Sequence, residues 1–178
     1  MNRKLKLNEL GRVSTETFKQ LEKIPLVVIL DNIRSHHNVG SVFRTADAFR
    51  VEKIILCGYT PVPPHRDIHK TALGATDSVE WSYSESTLEA VNWAKEQGYT
   101  TLAVEQTENS VKLNELEPSQ YKGLALVFGN EVGGVEQEVI DACDQVLEVP
   151  MEGTKHSLNI SVCAGIVLWE VFNKIRRS

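Results

Sequence analysis

Pro25-Leu26-Val27-Val28-Ile29-Leu30 is an unbroken apolar run of strand length, and its lack of alternation decides the fold. A strand covered on one face alternates apolar with polar residues, whereas one covered on both faces does not. The run therefore predicts a buried strand in a parallel sheet. Outward from it, Asn38 is expected to cap a helix reaching about Arg50, with Val42, Phe43, Ala46 and Phe49 turned inward. Val51 to Cys57 reads as the next strand. Gly58 to Lys70 holds three prolines and no clear period, so it reads as a loop followed by one helical turn. A helix over Ser86 to Gly98, strands over Thr100 to Glu105 and Leu124 to Phe128, and a helix over Val135 to Cys143 come next. A strand over Gln145 to Val149 and a long helix from Ser157 to Ile175 close the chain. Strands alternating with helices predict an α/β fold, a mostly parallel sheet flanked by helices. Residues 1–24 are polar, with Leu5, Leu7, Leu10, Phe18 and Leu21 loosely spaced as in an amphipathic helix ended by Pro25. They read as a short basic helical arm ahead of a single domain over residues 25–178.

The 178 residues suffice for one domain with a substantial core, and 42% hydrophobic with 24% charged residues is an ordinary globular composition. No run of eighteen apolar residues marks a membrane span, and no apolar signal core follows the basic start. A cytoplasmic protein is expected. Cys57, Cys143 and Cys163 are widely spaced without a C-x-x-C, which suits packing residues in a reducing compartment rather than a metal site. The net charge of −5 argues superficially against a nucleic-acid partner. Its distribution points the other way, because residues 1–70 carry 12 Lys/Arg against 7 Asp/Glu while residues 71–178 carry 7 against 17. The basic part is either a footprint for phosphates or a chance cluster of solvated side chains. Arg3, Lys4, Lys6, Arg12, Arg34, Arg44 and Arg66 are its candidate phosphate contacts.

Three stretches at expected strand or helix ends combine glycine or proline with polar residues, as small-molecule sites of α/β proteins do. In Asn38-Val39-Gly40-Ser41-Val42-Phe43-Arg44, Gly40 permits close approach of a ligand or another chain, and Arg44 can grip a phosphate bidentately. A cap asparagine with a surface arginine is the plainer reading. Phe128-Gly129-Asn130-Glu131-Val132-Gly133-Gly134 lacks both G-x-G-x-x-G and the P-loop lysine, which disfavours a Rossmann-type nucleotide enzyme. Glu131 there repels phosphate and suits an uncharged or cationic ligand, or else it caps the following helix. Val149-Pro150-Met151 precedes Ser157-Leu158-Asn159, whose serine either caps the last helix or orients substrate. His36, His37 and His156 lie near these stretches, and histidine can change charge near neutrality.

The order and spacing of these three stretches resemble the SpoU (TrmH-type) family of SPOUT RNA methyltransferases over about residues 25 to 175. The resemblance implies transfer of methyl from S-adenosylmethionine to a ribose 2′-hydroxyl in tRNA or rRNA, without a metal. A catalytically inactive RNA-binding protein of the same fold is the alternative. The resemblance places Arg44, Asn38, Glu131, Ser157 and Asn159 at the reaction centre and Val104, Glu105, Gly129, Val149, Met151 and Leu158 around the cofactor. It also implies a C-terminal trefoil knot, which physics alone would not suggest. Finally, it implies a homodimer in which the last helix joins the interface. From the residues alone, Val162, Ile166, Trp169, Val171 and Phe172 on that helix read more simply as core packing.

Overall fold

The computed structural model describes residues 2–11 and 13–177, so Arg12 lies outside the described residues. Among these, seven strands form one sheet: β1 (Ile24–Asp31), β2 (Val51–Cys57), β3 (Glu80–Ser84), β4 (Thr100–Val104), β5 (Val111–Lys112), β6 (Leu124–Phe128) and β7 (Gln145–Glu148). Their order is β3-β2-β1-β6-β4-β7-β5, and every neighbouring pair is parallel. The helices are α1 (Thr15–Gln20), α2 (His36–Ala48), α3 (Arg66–Ala72), α4 (Ala75–Ser78), α5 (Thr87–Glu96), α6 (Gln137–Ala142) and α7 (Ile160–Arg177).

The apolar run behaves as its pattern requires. Leu26, Val28 and Leu30 of β1 pack with residues of α2, α3 and α7, while Val27 and Ile29 pack with α5 and α6. All five are fully buried. A parallel sheet covered on both faces has all its strands ending at one edge, and Asp31, Cys57, Val104, Phe128 and Glu148 mark that edge.

Several elements depart from expectation. Ser35, not Asn38, caps α2: its side chain accepts from the Asn38 amide. The loop after β2 gives way to two helices, α3 and α4, rather than one turn. β3 had no counterpart in the sequence reading, because Glu80-Trp81-Ser82-Tyr83-Ser84 is a half-exposed edge strand without an apolar run. The last helix starts at Ile160. Asn159 caps it by accepting from the Ser161 amide at 2.9 Å, so Ser157 is free of that task. The arm contains a 3-10 turn (Leu7–Glu9) and the six-residue α1, anchored by buried Phe18, while Leu5 and Leu10 stay exposed. On α7, Val171 packs in the core as expected, but Val162, Ile166 and Trp169 are 51%, 40% and 51% exposed. Core packing therefore does not account for that stripe.

Gly40 explains a close approach within the chain. A side chain there would meet the Ile68 carbonyl at 2.3 Å and Thr71 Oγ1 at 2.1 Å, so the glycine lets α2 lie against α3. Neither a ligand nor a second chain is needed to account for it.

Candidate functional site

The carboxyl edge carries a cleft of about 310 Å³. Val104 and Glu105 enter it from the end of β4, Gly129 from the end of β6, Val149 and Met151 from the segment after β7, and Leu158 from just before α7. Glu131, Ser157 and Asn159 share the lining, whereas Asn38 and Arg44 do not. Gln106, Asn130, Gly134, His156 and Cys163 also line it without having been expected among the cofactor contacts. Gln106, Asn130 and His156 each adjoin an expected residue, Gly134 closes the Phe128–Gly134 stretch, and Cys163 lies one turn of α7 beyond Asn159.

The loop after β6 is shaped by its own backbone. Asn130 Oδ1 accepts from the amides of Val132 and Gly133 at 2.9 and 2.8 Å, and Asn130 and Gly134 exchange backbone hydrogen bonds. A side chain on Gly129 would meet the Gly134 and Val135 backbone at 2.0–2.3 Å, so this glycine serves loop closure before any ligand. Gly134 adopts φ +69°, and a side chain there would meet Glu105 Oε2 at 2.1 Å. The Glu105 carboxylate is turned to this loop, accepting from the Val135 amide at 3.3 Å and from the Gln106 amide at 2.9 Å. Gln106 in turn donates to the His156 carbonyl at 2.6 Å, tying the end of β4 to the segment before α7.

Glu131 joins this loop to α2. Its carboxylate accepts from the Arg34 amide (3.0 Å), the Ser35 amide (3.2 Å) and Asn38 Nδ2 (2.8 Å). Asn38 Oδ1 then accepts from Asn159 Nδ2 at 3.2 Å. Three expected residues far apart in sequence thus form one connected chain. Burial pushes the Glu131 carboxyl up, but the Arg34 amide, the Asn38 side chain and the Ser35 amide outweigh it and hold the group below its ordinary value. Glu131 is therefore ionised and fully engaged near neutral pH. Arg44 is exposed on α2 and makes no hydrogen bond or ion pair among the described residues. Cys163 is pushed up to about 11 by burial, with the Glu105 charge adding to the shift, so its thiol is protonated near neutrality.

The lining is chemically selective. Val104, Phe128, Val149, Met151 and Leu158 offer an apolar slot for a planar ring, while Glu105 and Glu131 supply negative charge. The SpoU rRNA methylase model matches residues 25–169, a span that includes every element of this cleft. The chain belongs to the SpoU rRNA methylase family. A putative TrmH family tRNA/rRNA methyltransferase of Staphylococcus aureus (strain MSSA476) is 33% identical over 156 residues, covering 88% of this chain. The chain spans only 62% of that relative's length. A TrmH/SpoU tRNA modifying enzyme of A. aeolicus superposes with a TM-score of 0.80 at 26% identity, covering 92% of this chain and 83% of the other. An AdoMet-bound rRNA methyltransferase from Sinorhizobium meliloti superposes with a TM-score of 0.78 at 25% identity, covering 88% and 59%. This SpoU family member therefore has the SPOUT-type arrangement of a parallel sheet flanked by helices.

Proposed function

We propose that this chain methylates a ribose 2′-hydroxyl of tRNA or rRNA, working as a cytoplasmic homodimer with the C-terminal trefoil knot of its family. The methyl donor is S-adenosylmethionine. The observation that carries the reading is the convergence of Val104, Glu105, Gly129, Val149, Met151 and Leu158 on one cleft beside the Glu131–Asn38–Asn159 chain. The donor set fits: an apolar slot suits adenine, and two carboxylates suit a cationic ligand better than a phosphate. When bound, S-adenosylmethionine supplies an electrophilic methyl on a sulfonium sulfur.

The residues of the chain divide the remaining work. Glu131 acts as a strut, holding the loop after β6 against the start of α2, and Asn38 and Asn159 carry that geometry to α7. Ser157, free of a capping role, is available to orient the incoming ribose. Arg44 grips an RNA phosphate and stabilises developing charge on the 2′-oxygen, since its guanidinium offers donors and no acceptor. Holding oxygen, methyl and sulfur in line can supply several kcal/mol. Arg44 lies outside the cleft of its own chain and has no ion partner among the described residues, which supports its service to the cleft of a second copy. The exposed Val162, Ile166 and Trp169 stripe supports α7 as part of the dimer interface.

Calorimetry with S-adenosylmethionine, followed by labelled-methyl transfer to bulk cellular RNA and alkaline digestion, tests this reading. The 2′-O-methyl group blocks alkaline cleavage, so label is expected in alkali-resistant dinucleotides. Cofactor binding without RNA labelling would favour the inactive RNA-binding alternative. No cofactor binding would overturn the reading altogether.

A further inference from the structure

Beside the cleft, the starts of α2 and α3 bring His36, His37 and His65 together, with His69 one turn further along α3. The rings of His36 and His65 lie against each other with centroids 3.9 Å apart and planes tilted by 33°. His65 caps α3, its Nδ1 accepting from the Asp67 amide at 3.2 Å, so Nε2 is the nitrogen left to donate. Stacked rings do not converge two lone pairs on one ion. Among the described residues, moreover, no group of three or more His, Cys, Asp or Glu is arranged to hold a metal.

The charges around the pair favour an anion. From α3, the Arg66 and Lys70 side chains are 82% and 52% exposed. Arg34, just before α2, is exposed and makes no ion pair among the described residues. Two carboxylates face the region, and both are already engaged. Asp67 binds Lys70 at 2.8 Å, with Arg66 at 3.7 Å and His37 at 4.0 Å, and Glu131 is held by the Arg34, Ser35 and Asn38 donors. Around the α2 start the Arg34 and Ser35 amides are taken by Glu131 and the Asn38 amide by Ser35.

We propose that the stacked His36–His65 pair, flanked by Arg34 and Arg66, is a subsite for a phosphodiester of the RNA strand entering the cleft. The proposal rests on the RNA methyltransferase reading above. A phosphate can accept the Nε2–H of His65, whose Nδ1 remains the unprotonated acceptor of the α3 cap, together with an N–H of His36. Its negative charge favours the charged form of His36, so RNA binding is linked to protonation of that ring and the grip on RNA strengthens as pH falls. His37 and His69 are exposed as well, but neither takes part in the stacked pair.

The test measures affinity of the full-length protein for unfractionated tRNA and for a mixed-sequence single-stranded oligoribonucleotide at fixed salt. The variant is His36→Gln with His65→Asn, since asparagine retains the capping acceptor of α3. Wild-type affinity should rise about tenfold from about pH 8 to about pH 6, and the double variant should change less than about threefold. Its S-adenosylmethionine affinity should match wild type. His36→Gln alone leaves the α3 cap intact and should still lose at least about half of the logarithmic pH effect, which covers any folding defect of the double variant. A folded variant with undiminished pH dependence overturns the subsite. If wild type labels RNA in that case, only the subsite fails; if wild type neither binds nor labels RNA, the function reading fails with it.

Discussion

Arg44 and Gly129 show how far single residues can be understood before the chain folds. Replacing Arg44 by alanine should leave cofactor affinity nearly unchanged and lower methyl transfer by at least about 10²-fold, a loss of about 2.7 kcal/mol. Single-turnover methylation beside calorimetry measures both, and near-wild-type turnover would remove Arg44 from the mechanism. Gly129→Val should abolish S-adenosylmethionine binding, but for a reason the sequence did not contain. The added side chain strikes the Gly134–Val135 backbone of its own loop rather than a ligand, so the loop must reopen. Circular dichroism should show a folded protein and calorimetry no binding; intact affinity would place the cofactor elsewhere. The resemblance implied that Asn38, Glu131 and Asn159 belong together. Their mutual hydrogen bonds were not legible, because they join residues 93 and 121 positions apart.

Among the elements, those with a strong pattern were read within a few residues, and β2 and β6 run over the expected residues. β3 and the pair α3–α4 were missed because one is a polar edge strand and the others are short helices following prolines. Long-range polar ties were equally invisible. Asp31, fully buried at the end of β1, accepts from Thr87 Oγ1 at 2.6 Å, Asn32 Nδ2 at 3.0 Å and the Glu136 amide at 3.3 Å. One carboxylate thus fixes the starts of α5 and α6 against β1. Asp31→Ala strands these donors, and urea denaturation should show a loss of about 2 to 3 kcal/mol. A loss below about 0.5 kcal/mol, the size of an ordinary surface change, would mean that water replaces the carboxylate without penalty.

For the molecule as a whole, the parallel sheet between helices was legible because continuous apolar strands alternate with amphipathic segments. The exposure of the stripe on α7 was not, since an apolar helical period does not tell a surface stripe from a core one; only the resemblance implied an interface there. Phe49, Trp169 and Phe172 form one aromatic group across α2 and α7, with centroids 5.2–6.2 Å apart, beside that stripe. An interface there should bury upwards of about 2,000 Å² in total. Sedimentation at micromolar concentration should give twice the 19.9 kDa chain mass, and Trp169→Glu should give monomers with little methyl transfer. A wild-type monomer with full activity would contradict both the dimer and an Arg44 shared between copies.

The position of β1 inside the sheet also bears on the order of synthesis. Its partner on one side, β2, leaves the ribosome soon after it, but the partner on the other side, β6, ends only at Phe128. At typical translation rates one edge of Leu26-Val27-Val28-Ile29-Leu30 therefore waits about 5 to 20 s for its permanent neighbour. A nascent chain in that interval presents the kind of unpaired apolar edge on which aggregates grow. Growing chains of this protein thus have a window in which a chaperone that covers extended apolar segments has most to offer, and it closes when β6 docks.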